Sequence, residues 1–346
     1  MGMTGDAVPA EMLVPRFLGG GEIGFLSKPV PEPGRGQLLI GVEANALCGS
    51  ERGQFFDGSS VTPGHEAAGV VVDVGPETST AVGARGVIYL MDFCGECRSC
   101  ALGFTNQCTN KRGDVGFNRD GGYGPYVLVH ENVFFPTGDD VPLAEATMLL
   151  DVMGTTGHAI RRGLMLREDV WSLGIAGAGP VGLGALAMAR ILLGPEVPVV
   201  ISDLSPFRLG LAGRLGGETI DLREKTLLEG LREHGLDEID LAVDTSGKGA
   251  ARQSHLEALS QRGVLVCAGH GEGLSLDVSR DLIAPERAVL GSEYFRYDEL
   301  HTNLRILREH LPYLRQIITH RFVVQEIQEA FGIFLRGETG KVLVVP

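Results

Sequence analysis

"VWSLGIAGAGPVGLGALAMARILL", residues 170–193, decides how the rest of the chain is read. Val170–Ala176 is an apolar run of strand length, and a glycine-rich turn separates it from a second run rich in Ala, Leu and Met. The whole apolar stretch Val170–Gly194 is long enough to span a bilayer. Six glycines, Pro180 and Arg190 interrupt it, so a buried strand and helix are expected instead. Between them Gly177, Gly179 and Gly182 stand in G-x-G-x-x-G spacing around Pro180 and Val181. The first glycine permits the tight turn, the second lets backbone N–H groups approach a pyrophosphate, and the third lets the helix pack closely. The helix N-terminus then favours the anion. A flavin or nucleotide-sugar site on the same scaffold is the alternative. Asp203 ends the next strand, "VPVVISD", 21 residues beyond Gly182. A carboxylate there accepts the ribose hydroxyls of NAD and repels the 2′-phosphate of NADP, so NAD is the expected cofactor. Arg208 is either a solvated helix residue or a cap over the adenine.

Outward from this unit, strands and helices alternate. Helix "SPFRLGLAGRLG" and helix "TLLEGLREHG" are followed by strand "IDLAVDTS", helix "ARQSHLEALSQ" and strand "GVLVCAG". Alternation of this kind predicts an α/β region with a doubly wound, Rossmann-type parallel sheet. Residues 1–150 differ in texture. They are rich in Gly and Pro, with short runs such as "QLLIGVEAN", "AAGVVVDVG" and "YVLVHENVF", and predict a mostly-β domain with long loops. A last helix, "VQEIQEAFGIFLRG", and strand, "GKVLVVP", lie beyond the α/β region and are expected to rejoin the β domain. The expected division is therefore 1–151 with 291–346, flanking a dinucleotide domain over 152–290.

The chain has 346 residues, enough for two domains, and 44% hydrophobic against 21% charged residues suits globular folding rather than disorder. Its formal charge of −14 argues against nucleic acid or an anionic membrane as partner. The start "MGMTGDAVPAEM" lacks a signal peptide's basic end and apolar core, so a cytoplasmic location is expected. In that reducing setting, "FCGECRSCALGFTNQC" (93–108) becomes informative. Cys94, Cys97, Cys100 and Cys108 follow C-x2-C-x2-C-x7-C. A disulfide knot, an iron–sulfur cradle, a redox pair and a zinc lobe all use clustered thiols, but metal ligation suits a cytosolic chain better than disulfides.

A second donor group is scattered. "ANALCGSE" supplies Cys48 and "TPGHEAAG" supplies His65 and Glu66. His65 follows Pro-Gly and precedes an acid, while Cys48 precedes Gly49 and Ser50, unlike residues inside a buried strand. A catalytic zinc needs three protein ligands and an open position, which Cys48, His65 and one carboxylate would provide.

Together "CGSE", "GHEAAGVV", the four-cysteine lobe, "GGYGPYV", "GAGPVG", "SDLSPFRL" and "RGETGKVLVV" resemble the zinc-dependent medium-chain alcohol and polyol dehydrogenases over nearly the whole chain. The resemblance implies a GroES-like, mostly-β catalytic domain beside the Rossmann domain, and two zinc ions per chain. It assigns Cys94, Cys97, Cys100 and Cys108 to a closed structural zinc site. It places Cys48 and His65 on a catalytic zinc, with Asp151, seven residues before His158 in "DVMGTTGHA", as the third ligand and Glu66 sharing that role. Asp151 as a helix cap is the alternative. Ser50 matches the hydroxyl that touches the substrate oxygen. Glu51 is either an acid orienting His65 or a solvated charge. Gly53 stands where the alcohol dehydrogenases place a relay histidine, a departure that leaves the proton route to Ser50, ribose hydroxyls and water. Gly269, at the end of strand "GVLVCAG", is expected at the cofactor.

The reaction implied is reversible hydride transfer between a secondary alcohol and NAD. Tyr123 matches a position lining the pocket in polyol members, and "GSEYFRYDEL" (291–300) brings Glu293, Tyr294 and Arg296 to it. Such polar residues favour a polyol, cyclitol or aminocyclitol. "GSEYF" resembles the aminocyclitol dehydrogenases, where an acid pairs with a substrate ammonium. The alternatives are a simple alcohol, threonine, a zinc-independent reductase of the same superfamily or a non-catalytic NAD sensor. A small polar alcohol is thus the expected partner, and a homodimer or homotetramer the expected assembly.

Overall fold

The computed structural model describes residues 8–345; the first seven residues, part of the N-terminal stretch read above, lie outside it. Two compact units emerge: 1–147 with 321–332 and 342–346, and 148–320 with 333–341.

The first unit is built on antiparallel pairing. Its central strand, Gln37–Ala46, pairs with Ala67–Val74, with Tyr126–His130 and with the C-terminal strand Lys341–Val345. The ladder continues through Arg85–Ile88 to Phe134–Pro136. The C-terminal strand thus rejoins the β domain, where Leu343 and Val344 face Ala46 and Asn45. A separate hairpin, Glu11–Gly19 with Glu22–Pro29, alternates buried and exposed residues along its first strand, as a half-covered sheet requires.

The second unit holds a six-stranded sheet in the order Glu218–Asp221, Val199–Asp203, Leu173–Ala176, Ile239–Asp244, Leu259–Cys267, Ala288–Gly291. Every neighbouring pair is parallel. In chain order this is the doubly wound arrangement that reverses direction between its first and fourth strands, and ligands sit at that switch point. Ile175, Ile201, Leu241, Val243, Leu265 and Val266 are wholly buried, as expected of strands covered on both faces.

The observed division corrects the expected one. Residues 291–320 stay with the parallel sheet rather than returning to the β domain. Ala288–Gly291 is that sheet's last strand, and Glu299, at the start of helix Glu299–Leu314, holds His158 at 2.9 Å. Residues 333–341 likewise belong to the second unit, because Gly337 and Thr339 accept hydrogen bonds from Ser205 and Arg208.

Candidate active site

Cys48 ends the run after Gln37–Ala46, and the next three residues form a short 3-10 turn leading into helix Arg52–Asp57. This turn buries Glu51 completely. A buried carboxylate must be hydrogen-bonded, and Glu51 is. Its Oε1 lies 2.9 Å from His65 Nδ1, and its Oε2 accepts from the Tyr123 hydroxyl at 2.6 Å and from the Cys48 backbone N–H at 3.4 Å. Of the two readings of Glu51, the structure takes the orienting one. With Nδ1 donating to Glu51, the His65 tautomer leaves Nε2 as the acceptor. Ser50 Oγ sits 3.4 Å from that Nε2.

The loop carrying His65 is shaped by glycine. Gly64 has φ +105, and a Cβ there would stand 2.7 Å from Tyr123 N, so only glycine fits. Gly122 N–H donates to Gly64 O at 2.7 Å and Tyr123 N–H to Pro63 O at 3.1 Å. This pairing delivers both His65 and Tyr123 to one carboxylate. One ligand atom each of Cys48, His65 and Glu66 then lie within 4.8 Å of one another, all buried. A thiol, an imidazole and a carboxylate suit zinc.

Tyr123 was expected to line a substrate pocket. Instead it is 2% exposed, with its hydroxyl spent on Glu51. Burial first, then the Glu51 charge, hold that hydroxyl protonated well above the usual phenol range, so it serves as a donor. The Tyr123–Glu51 link escaped sequence reading because 72 residues separate the two.

The four lobe thiols also converge within 4.8 Å. Cys97 and Cys100 Sγ are 3.5 Å apart, Cys94 and Cys108 3.5 Å, and Cys97 and Cys108 3.9 Å. Zinc–sulfur bonds of about 2.3 Å in a tetrahedron put sulfurs about 3.8 Å apart, whereas a disulfide needs about 2.05 Å. The spacing therefore fits one ion at the centre. Backbone N–H groups stabilise the thiolates. Those of Glu96 and Cys97 lower Cys94, and those of Cys100 and Thr109 bring Cys97 down to about 5. Burial pushes Cys100 up to about 12, a cost that a bound cation offsets.

In the second unit, Asp151 opens a π-helical turn, Asp151–Thr155, and is buried. The cap position is Leu150 and no side chain caps the turn, so the helix-cap reading of Asp151 does not hold. Its Oδ1 accepts a long hydrogen bond, 3.4 Å, from Thr155 Oγ1.

At the dinucleotide end, Gly177 has φ +90, and Gly179 caps helix Pro180–Leu193, with Pro180 at the first helical position and Val181 next to it. A Cβ on Gly182 would fall 1.8 Å from Gly177 O, whereas one on Gly179 would meet only Arg208 Nη1, at 3.8 Å. The middle glycine thus faces open room before a helix N-terminus, as a pyrophosphate requires. Asp203 braces this turn: Oδ2 accepts from Ala178 N–H at 2.6 Å, and Oδ1 from Leu204 and Ser205 N–H groups at 2.7 and 2.8 Å. Arg208 is not solvated. Its guanidinium donates to Thr339 O and Phe334 O, both at 3.3 Å. Gly269 N–H donates to Asp244 O at 2.9 Å, and a Cβ there would meet Gly247 N at 2.4 Å. Glu293 pairs with the exposed His270 at 3.2 Å, and Arg296 with Asp298 at 2.6 Å. Tyr294 is buried, with a positive φ of 46 that strains a non-glycine residue.

The comparisons agree with this geometry. The alcohol dehydrogenase GroES-like domain model matches residues 34–139 and the zinc-binding dehydrogenase model residues 180–309. An L-threonine 3-dehydrogenase of Shewanella woodyi is 30% identical over 93% of this chain and 96% of its own length. A zinc-binding dehydrogenase structure from Sinorhizobium meliloti 1021, bound to NADP, is 25% identical with TM-score 0.84, covering 98% of this chain and 100% of that one. A short chain alcohol dehydrogenase of Escherichia coli CFT073, complexed with NADH, shares the fold at 22% identity and TM-score 0.87, covering 98% of this chain and 100% of that one. Two domain models on one chain, and a relative at this identity over nearly the full length, place the chain in the zinc-dependent medium-chain alcohol dehydrogenase family.

Proposed function

We propose that this dehydrogenase oxidises, reversibly and with NAD, a secondary alcohol of a polyol, cyclitol or aminocyclitol, and that each chain holds two zinc ions. The observation that carries the reading is the buried Cys48–His65–Glu66 donor set, with His65 oriented by Glu51 and Ser50 beside it. Cys48, His65 and Asp151 would hold the catalytic zinc, with Glu66 as the reserve carboxylate; Cys94, Cys97, Cys100 and Cys108 would hold the other. Asp151 is supported by its burial and by a carboxylate not used as a cap. When bound, the catalytic zinc supplies Lewis-acid polarisation of the alcohol oxygen and NAD supplies the hydride acceptor.

The chain's own groups do the rest. Ser50 accepts the substrate hydroxyl proton and passes it towards solvent, since Gly53 offers no imidazole. Gly177, Gly179, Pro180, Val181 and Gly182 present the helix N-terminus to the pyrophosphate. Asp203, beside them, receives the ribose hydroxyls on its remaining lone pairs and disfavours a 2′-phosphate. Arg208 and Gly269 support the cofactor's surroundings from behind. Glu293, Tyr294 and Arg296 face the substrate, with Glu293 suited to a substrate ammonium.

Threonine is the second reading, favoured by the 30% identical relative of that name. It shares with aminocyclitols a hydroxyl beside an ammonium. NADH formation with inositols, aminocyclitols, sorbitol, threonine and simple alkanols separates these. Highest kcat/KM on a cyclitol or polyol supports the first reading, and highest kcat/KM on threonine replaces it with the second.

Ala288–Gly291 forms the open edge of the parallel sheet, which supports assembly as a homodimer or homotetramer. Among the described residues no helix is long and apolar enough to cross a membrane. Among the described residues no two cysteines are joined by a disulfide, which suits the reducing cytoplasm.

A further inference from the structure

Two aromatic side chains pack against Tyr123. Phe17 stacks on its ring at 6.2 Å and 18°, and Phe331 meets it edge-on at 6.2 Å. Phe331 in turn packs on Phe17 at 5.1 Å and stacks on Phe55 at 5.0 Å. These rings come from the N-terminal hairpin, the helix after Cys48 and the C-terminal helix Ile327–Leu335. Their packing holds the Tyr123 ring on both an edge and a face. Its hydroxyl points at Glu51 Oε2, 2.6 Å away, and the same carboxylate touches both His65 Nδ1 and the Cys48 backbone N–H.

We propose that Tyr123 is a positioning residue for the metal site: its hydroxyl fixes the Glu51 carboxylate, and Glu51 fixes His65 and Cys48. The inference rests on the reading that Cys48 and His65 hold zinc. Glu51 is wholly buried, so its orientation is set by its donors rather than by water. Two of those donors belong to the elements that carry the ligands. The third, Tyr123, is held from outside those elements by the aromatic cluster, and its backbone pairing with Pro63 and Gly64 fixes it against the His65 loop. Removing that hydroxyl leaves Oε2 with a single long bond from Cys48 and frees the carboxylate to turn. His65 then loses the partner that aims Nε2, and a metal bound there is held less tightly. Loss of an outer partner of a ligating histidine typically weakens metal binding roughly 10- to 100-fold.

The test compares the full-length zinc-loaded wild type with Tyr123→Phe and Phe331→Leu. Zinc is withdrawn from the Cys48 site and its affinity measured by competition with a chromogenic chelator. The visible spectrum of the cobalt-substituted protein reads the ligand geometry, and Tm is recorded for each. Tyr123→Phe is isosteric; it is expected to keep the lobe zinc, lower affinity at the Cys48 site roughly 10- to 100-fold and shift the cobalt spectrum. Phe331→Leu keeps the hydroxyl and is expected to lower Tm while leaving zinc affinity within about twofold. Tyr123→Phe with unchanged zinc affinity overturns the inference. So does an equal loss in Phe331→Leu, which would assign the effect to packing rather than to the hydroxyl. A wild type that binds zinc only at the lobe fails the metal reading itself, a result separate from either.

Discussion

The thiols of Cys94, Cys97, Cys100 and Cys108 and the donors Cys48, His65 and Glu66 converge to the same distance, yet their surroundings differ in kind. The lobe is half exposed, made of one donor type and stabilised by backbone N–H groups of its own loop. On the proposed reading four thiolates would fill a tetrahedron around one ion, leaving the lobe to shape a loop with no open position for a substrate. The Cys48 set is buried, mixes sulfur, nitrogen and oxygen, and is backed by charged and hydroxyl side chains: Glu51, Tyr123 and Ser50. Around that set Glu51 holds His65 and Ser50 lies beside it, neighbours suited to the ligand orientation and proton transfer proposed for it. A metal site built for shape can be made from one loop, whereas a site built for chemistry draws on distant segments.

The sharpest way to break this contrast is a pair of substitutions. Asp151→Asn is expected to lose zinc from the Cys48 site and to reduce turnover by more than roughly 100-fold, with Tm nearly unchanged. Cys100→Ser is expected to do the reverse, lowering soluble yield and Tm, with the surviving folded fraction still turning over. Zinc analysis, calorimetry and NADH formation on both variants check this. Full zinc and near-normal turnover in Asp151→Asn would hand the ligand role to Glu66. Next in size, Ser50→Ala is expected to slow turnover by roughly 100-fold while zinc content stays at the wild-type value, as for a lost proton-transfer group. A loss of zinc instead would make Ser50 part of the metal's support. Smaller again, Asp203→Asn is expected to raise the KM for NAD and narrow its advantage over NADP, each by roughly tenfold, the scale of one charge-assisted hydrogen bond. Unchanged constants for both cofactors would remove Asp203 from the ribose. The smallest effect is expected for Gly53→His. An added Cβ there meets only Asp57 Oδ2, at 4.0 Å, so the histidine is accommodated and turnover changes less than about threefold in steady-state assays.

Much of this was legible in the sequence, and the gaps have physical causes. The inner strands of the parallel sheet are continuous apolar runs because both faces are covered, so Leu173–Ala176, Val199–Asp203 and Ile239–Asp244 could be read directly. The outer strands Glu218–Asp221 and Ala288–Gly291 are four residues each and only partly buried, and their patterns carry no such signal. Helix Glu299–Leu314 buries Leu300, Leu304, Leu307 and Leu314, but Pro312 near its end obscures the period and the helix went unread. That unread helix is why residues 291–320 were expected in the wrong unit. At the site, Cys48, His65 and the lobe lie in local motifs, so the sequence could single them out, and their donor atoms converge in the fold. Tyr123 was found with the wrong part to play, because a hydrogen bond across 72 residues leaves no trace in spacing.

The most direct measurement is zinc stoichiometry followed through selective chelation, with NADH formation and Tm recorded on the same samples. The account expects two zinc ions per wild-type chain. The first to leave should abolish activity with little change in Tm, and the second should leave only as the fold melts. A single zinc per chain, or activity that persists after the first ion is removed, would contradict it.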